Sequence, residues 1–281
     1  MKAGSAGSTA PQIPGSLSLV LPAHNEAGNI EAVVRRALEV LPAYTDDFEI
    51  IVVNDGSRDD TPMIVERLAQ ENGRIRLVQH RVNRGYGAAL RSGFGATRGD
   101  YVMFMDADRQ FDIADIRLLA PFVSQFDVVA GFRMERHDPL LRRINAEIFN
   151  VAIRVLFGVH LRDIDCAFKI FRGDLLRSLE LTAPGALINT EIQAKLRRQG
   201  ATLEQVGVHH YPRIAGQATG GSLRVIVRAM GETVLLWLRM HSYQPPASAR
   251  TPRGYHALGD VVVGGVTAAG AFLVNRLIRR R

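Results

Sequence analysis

The strongest constraint on this chain is a repeated alternation. Short apolar runs end in polar loops, and each is followed by a segment with helical spacing. Leu17 to Leu21 (LSLVL) stops at Pro22, and Phe48 to Val53 (FEIIVV) stops at Asn54-Asp55-Gly56. Such compact, unbroken apolar runs read as strands buried on both faces. Between them Ile30, Val33, Val34, Ala37, Leu38 and Leu41 recur at helical spacing, and Asp59-Asp60-Thr61-Pro62 is a helix start ahead of Ile64, Val65 and Leu68. Strands at 75–78, 101–105 and 128–130 and helices at 87–96 and 113–123 continue the pattern. Past residue 132 it loosens into a helix at 140–157, a strand at 167–171, a helix at 190–198 and a strand at 202–208. The expected fold is α/β, a mostly parallel sheet with helices on both faces.

In such sheets ligands bind outside the carboxyl ends of the strands. Four strand-end loops carry polar clusters: Ala23-His24-Asn25-Glu26, Asn54-Asp55-Gly56-Ser57, Asn83-Arg84-Gly85-Tyr86-Gly87, and Asp106-Ala107-Asp108 with Gln110. Brought to one edge, they would surround a pocket with carboxylates, a hydroxyl and an arginine. Oxygen donors of this kind suit Mg²⁺ or Mn²⁺, which take their remaining ligands from water and substrate phosphates. The expected ligand is therefore a diphosphate.

LVLPAHNEAGNI, VVNDGSRDDT, NRGYGAALRSGF and MFMDADRQFD, in this order and spacing, resemble the inverting family 2 glycosyltransferases of GT-A (Rossmann-like) fold. GFRMERHD, LLRRINAEIFN, DIDCAFKIFR and HHYPRIAGQATGG are similar to the branch that makes dolichyl- or polyprenyl-phosphate sugars, so the resemblance covers about residues 17 to 225. It implies transfer of one sugar from a nucleotide-sugar donor to a polyprenyl-phosphate acceptor. By position, Pro22, Ala23, Glu26 and Asp55 match residues that hold base and ribose, and Asn25, Ser57, Arg84, Gly85 and Ala107 share those donor loops. Asp106, Asp108 and Gln110 match the metal and diphosphate site. Arg133, Arg142 and Arg213 match arginines that bind acceptor phosphate or donor, and Asp163 and Asp165 match a stretch near the acceptor where one carboxylate is a candidate base. The chain has Gly216-Gln217-Ala218-Thr219 where mannosyl members often carry Gly-x-Ser-Lys, and Ala146 where a serine is common. DIDCAFKIF looks closer to glucosyl-type members, which favours a UDP-sugar over GDP-mannose.

The chemistry agrees with those residue types. Loss of a nucleoside diphosphate develops negative charge that a cation and an arginine stabilise. A phosphate monoester, with a second pKa near ~6, is already largely anionic at neutral pH and needs arginines more than a base.

Charge excludes one class of partner. Of the net +7, residues 241–281 carry six arginines against Asp260, so the excess sits in the tail and does not mark a nucleic-acid site. A single cysteine, Cys166, excludes an internal disulfide and a multi-cysteine zinc site, and reads as core. Residues 1–16 are expected to be a flexible N-terminal tail, 17–224 the catalytic domain, 225–243 an amphipathic interfacial helix (VIVRAMGETVLLWLRM at its heart), and 244–281 a linker with a basic, apolar C-terminal tail. Val261 to Asn275 is uncharged but spans only 15 residues, short of the ~20 needed to cross a bilayer. It is left to shallow insertion or pairing with a second copy. The expected location is the cytoplasmic face of a membrane.

Plainer roles compete at several positions. Asp112 and Asp115 fit the start of a helix, and His209 and His210, on alternate faces of a strand end, fit packing. Two other readings of the whole chain are a family 2 transferase acting on a glycan hydroxyl and a non-catalytic nucleotide-sugar-binding scaffold at the membrane.

Overall fold

The computed structural model describes residues 13–134, 149, 151–213 and 223–246. The elements in chain order begin β1 (Leu17–Ala23), α1 (Ile30–Val40), β2 (Phe48–Asp55), α2 (Thr61–Glu71), β3 (Ile75–His80), α3 (Tyr86–Ala96), β4 (Tyr101–Met105), α4 (Ile116–Val123) and β5 (Val128–Arg133). They continue with α5, helical over residues 151–157, then β6 (Phe168–Arg172), α6 (Gly173–Arg177), α7 (Ile188–Arg198), β7 (Leu203–Val208) and α8 (Leu223–Ser242).

The seven strands form one sheet in the order β3-β2-β1-β4-β6-β5-β7. Only β6 runs against its neighbours β4 and β5; β1 is parallel to β2 and β4, β2 to β3, and β5 to β7. Six of the seven carboxyl ends therefore share one edge, and that edge carries the site.

β1 does not stop at Pro22 as its sequence suggests; it continues to Ala23, paired with β2 through Ala23–Asn54. The ladder to β4 ends at Val20–Phe104. Beyond Val20 the strand is an edge on its β4 side, where a proline is tolerated.

The central strands are buried on both faces, with Leu17, Leu19, Val20, Leu21, Ile50, Ile51, Val52 and Val53 all inaccessible to solvent. Helix α3 approaches so closely that a Cβ on Gly93 would lie 2.4 Å from the Val20 side chain and 3.0 Å from that of Val53. Phe104 meets Phe94 edge-on at 5.9 Å and stacks on Phe171 at 6.0 Å. Right-handed crossovers put α1 and α2 on one face and α3, which returns across the sheet, on the other.

Residues 13–16, assigned by sequence to the tail, are anchored. Ile13 is buried, its N–H bonds the Tyr44 carbonyl at 2.9 Å, and Ser16 bonds the Asp100 carboxylate through backbone and side chain. Small residues hid this, because the anchoring comes from three hydrogen bonds and one buried isoleucine.

The chain divides into two compact units. The first comprises Met1–Glu135, Cys166–Ser178 and Leu203–Gly216, and holds the whole sheet. The second comprises Arg136–Asp165, Leu179–Thr202 and Gln217–Arg281. Within it, Glu191 on α7 is buried and accepts bonds from the Thr182 and Ala183 N–H groups and from Lys195 at 2.8 Å. Burial alone would raise the Glu191 pKa, but these donors more than reverse it. On α8, Val234, Leu235 and Leu238 are exposed, while Leu236 and Met240 are buried. No described helix is long and apolar enough to cross a membrane. The segment 247–281, with its basic residues and Val261 to Asn275, lies outside the described residues.

Candidate active site

The first two loops of the carboxyl edge are laced together. The Asn25 N–H donates to Ser57 Oγ at 2.9 Å, its side-chain oxygen accepts from the Arg58 N–H at 2.8 Å, and the Glu26 N–H donates to Thr61 Oγ1 at 2.9 Å. Asp59 both starts α2 and crosses the gap, accepting from the Thr61 N–H and hydroxyl and from the Ala27 N–H at 3.0 Å. Asn25 takes φ +57, a left-handed conformation that asparagine tolerates because its side chain finds local partners. Pro22 and Ala23 are buried, and Ser57 is half-buried.

The Asp55 carboxylate is used inside the protein. Oδ1 accepts from the Arg84 N–H at 2.9 Å and from His80 Nδ1 at 2.7 Å, and Oδ2 accepts from the Gly85 N–H at 2.8 Å. Arg84 thus contributes its backbone here while its side chain is exposed. Gly56, at φ +65, lets the two loops touch: a Cβ there would sit 2.3 Å from the Val82 carbonyl carbon. No other residue type fits.

Asp106 follows β4 directly. Tyr86, at the start of α3, donates its hydroxyl to Asp106 Oδ1 at 3.1 Å, which connects Asp55, through Gly85 and Tyr86, to the acidic pair. Removal from water and the Asp108 charge push the Asp106 carboxyl up to about 7, against the pull of the Tyr86 hydrogen bond and the Lys169 and Arg213 charges. Burial also raises Glu26, as do the charges of Asp108 and Asp59, opposed by the Asn29 amide at 2.7 Å and by Arg213. Glu26, Asp106, Asp108 and Arg213 therefore share one electrostatic neighbourhood.

Asp108 is buried, accepting from the Gln110 N–H at 3.0 Å through Oδ1 and from Arg213 Nη2 at 2.6 Å through Oδ2. The same Nη2 reaches Gln110 Oε1 at 3.3 Å. Arg213 is delivered by a strap that leaves β7 and crosses the loop after β4. His209 bonds the buried Asp115 through its N–H at 2.8 Å and its Nδ1 at 2.9 Å, and the Tyr211 N–H donates to the Gln110 carbonyl at 2.8 Å. His210 meets the Phe111 ring edge-on at 5.2 Å, so the two histidines pack, each in its own way. Asp112 starts its helix, accepting from the Ala114 N–H at 2.9 Å. Beside the strap runs an open groove of about 820 Å³ lined by Val33, Met105, Arg109, Phe111, Tyr211 and Arg213 among others.

The donor set fits a hard divalent cation. Two carboxylates lie close enough for one to raise the other's pKa, and a side-chain amide oxygen is adjacent. Asp106, Asp108 and Gln110 are the residues that could hold the cation, with water or phosphate as the remaining ligands; among the described residues no group of three or more His, Cys, Asp or Glu could hold a metal ion.

Arg133 closes β5 at the same edge and is half-buried. Asp163 is buried and belongs to the second unit, together with the exposed Asp165. Arg142 and Ala146 lie outside the described residues. Three residues of the site carry little sequence signal: His80, a lone histidine at a strand end; Asp115, a helix-start carboxylate; and Lys169, buried in β6. Lys169 donates to the Cys166 carbonyl and lies 5.4 Å from the Phe104 ring. A charged residue inside an apolar strand run was the available hint.

A mostly parallel sheet with an acidic pair and a facing arginine at its carboxyl edge defines the class, an α/β protein of GT-A-like fold. Glucosyl-3-phosphoglycerate synthase from Mycobacterium tuberculosis has the same fold, with a TM-score of 0.63 at 24% identity over 85% of this chain and 84% of that one. The model of glycosyl transferase family 2 matches residues 18–179, and the chain belongs to that family. It is 32% identical over 207 residues to Glycosyltransferase AglD of Haloferax volcanii, covering 70% of this chain and 33% of the relative. It is 30% identical over 213 residues to the undecaprenyl-phosphate 4-deoxy-4-formamido-L-arabinose transferase of Pseudomonas fluorescens, covering 75% and 61%. The chain thus spans a third and about three fifths of the length of these relatives.

Proposed function

We propose that this chain is an inverting glycosyltransferase that moves one sugar from a nucleotide-sugar to polyprenyl phosphate, working as a peripheral or shallowly inserted enzyme on the cytoplasmic face of a membrane. The observation that carries the reading is Arg213 held against Asp108, beside Asp106, at the carboxyl edge of the sheet. The Pseudomonas fluorescens relative, an undecaprenyl-phosphate sugar transferase, supports the acceptor.

The loops at 22–29, 54–57 and 83–87 would receive the nucleoside, with Glu26 and Asp55 nearest it. A carboxylate has about four acceptor sites, and three on Asp55 are filled by the protein. One remaining site suits the single ring N–H of uracil better than the paired donors of guanine, which favours a UDP-sugar. The mycobacterial structural neighbour is itself described in complex with Mn²⁺ and UDP-glucose.

Asp106, Asp108 and Gln110 would hold Mg²⁺ or Mn²⁺, which when bound supplies Lewis-acid neutralisation of the departing diphosphate. Arg213 donates to the same developing charge once it leaves Asp108. Arg133 and Arg142 would orient the acceptor phosphate, which attacks the sugar carbon as an anion. Asp163 is the candidate to orient the sugar. The exposed Val234, Leu235 and Leu238 on α8 form the surface that would rest in the lipid interface.

Incubating the protein and membranes with a panel of radiolabelled nucleotide-sugars and Mn²⁺, then extracting lipid, tests this. Label is expected in the lipid phase from a UDP-sugar. Label appearing only on a soluble glycan would favour the hydroxyl-acceptor reading instead.

A further inference from the structure

Asp55 and His80 end adjacent parallel strands and are register partners in the β2–β3 ladder. Both are buried. An ionised aspartate only accepts, so the 2.7 Å bond from His80 Nδ1 to Asp55 Oδ1 requires Nδ1 to carry the proton. On the other side of the ring, Nε2 is hydrogen-bonded to Ser92 Oγ on α3 at 2.8 Å. The relay runs from α3 through Ser92, His80 and Asp55 to the Arg84 and Gly85 N–H groups. It therefore fixes the turn that opens α3, including Tyr86 against Asp106. The packing of Gly56 on Val82 and Asn83 leaves this turn little room to adopt another path.

We infer that His80 is a positioning residue of the nucleotide site: its ring, braced by Ser92, holds the Asp55 carboxylate in the orientation that shapes the 83–86 turn. The inference rests on the proposed function, in which this turn contacts the donor. His80 touches no substrate itself; it acts through Asp55. A histidine is suited to the task because one ring offers two hydrogen-bonding nitrogens on opposite sides, fixed in direction by a single plane.

Three variants test it: His80→Ala, His80→Asn and Ser92→Ala. Asparagine keeps an N–H where Nδ1 stood. UDP binding with Mn²⁺ would be measured by calorimetry, alongside amide exchange at Arg84 and Gly85 and the donor KM and kcat. His80→Ala should weaken UDP ~10-fold or more and raise the donor KM correspondingly, with a smaller change in kcat, as loss of a hydrogen bond to a charged group predicts. Exchange at the two amides should quicken, His80→Asn should recover most of both effects, and Ser92→Ala should give a partial loss of ~3-fold. Wild-type UDP affinity and amide exchange in His80→Ala would overturn the inference, as would a lowered melting temperature with UDP affinity intact, or an asparagine variant no better than alanine. Should His80→Ala fail to fold, unchanged UDP affinity in Ser92→Ala overturns it. If wild-type protein binds no nucleotide at all, the proposed function falls first, while amide exchange still decides whether His80 orders the turn.

Discussion

Arg213 and Asp108, 105 positions apart in sequence, meet at 2.6 Å with the carboxylate buried and the guanidinium partly open to solvent. The contact joins the strap after β7 to the loop after β4, and it sets a guanidinium against one of the two carboxylates proposed to hold the cation. Removing Arg213 should therefore impair chemistry far more than stability. Arg213→Ala is expected to lower kcat/KM by about 10²- to 10³-fold while costing only about 1 kcal/mol of stability, as the pair is partly solvated. Arg213→Lys should recover part of the loss, because a single nitrogen, Nη2, reaches both Asp108 and Gln110, and one ammonium can take its place. Steady-state kinetics with denaturant unfolding separates the two effects.

The acidic pair predicts a pH dependence with a defined sign. The Asp106 pKa is raised to about 7 from an ordinary carboxylate value of 3.8. The folded metal-free protein thus binds a proton more tightly than the unfolded chain. The stability this contributes is complete below pH 3.8, declines as pH rises toward about 7, and is flat beyond it. Thermal melts of metal-free protein should show the decline, and Asp108→Asn should reduce it by removing the neighbouring charge.

Gly56 tests the loop architecture. Alanine at φ +65, with its Cβ 2.3 Å from backbone, must displace the 82–83 turn. Gly56→Ala is expected to cost about 2 kcal/mol or more and to weaken UDP. Equal stability and nucleotide affinity would show that the turn adapts freely.

In the second unit, Glu191 carries the structural weight. Glu191→Ala takes this acceptor from the buried Ala183 N–H, the Thr182 N–H and the Lys195 ammonium and should destabilise by about 3–5 kcal/mol. Its folded pKa lies below the unfolded value of 4.5, so its contribution is present above that pH and is lost as pH falls through the folded pKa. Urea unfolding at pH 7 and pH 4 reads both effects.

Membrane association should depend on α8. Replacing Leu235 and Leu238, both exposed, with glutamate is expected to lower co-flotation with anionic vesicles severalfold, since each substitution puts a charge where apolar surface would be buried. Intact soluble turnover with a short-chain acceptor would accompany it.

The sheet and its loops were legible because buried parallel strands and amphipathic helices write different periods into the chain, and because β2 and β4 exchange apolar residues at once for Asn54-Asp55-Gly56 and Asp106-Ala107-Asp108. The direction of β6 was not legible, since an apolar run such as Phe168 to Phe171 carries no sense of orientation. Pro22 misled for a local reason: its strand loses one neighbour at Val20, and only the ladder shows that. Asp106, Asp108 and Gln110 stood out as a motif, but their partner Arg213 could be linked to them only through family resemblance. The strap that delivers it is set by single contacts across about a hundred positions, including His209 to Asp115, and no period records these. His80 stayed hidden because one histidine at a strand end is an ordinary residue until its two nitrogens are seen to be used.

The most direct measurement is mass spectrometry of the lipid phase after incubating wild-type protein and Asp108→Ala with a UDP-sugar, polyprenyl phosphate and saturating Mn²⁺. Wild type should yield a sugar joined to the lipid phosphate and release UDP, and Asp108→Ala should yield neither. Product formed by Asp108→Ala at the wild-type rate would contradict the assignment of the acidic pair to the cation and diphosphate.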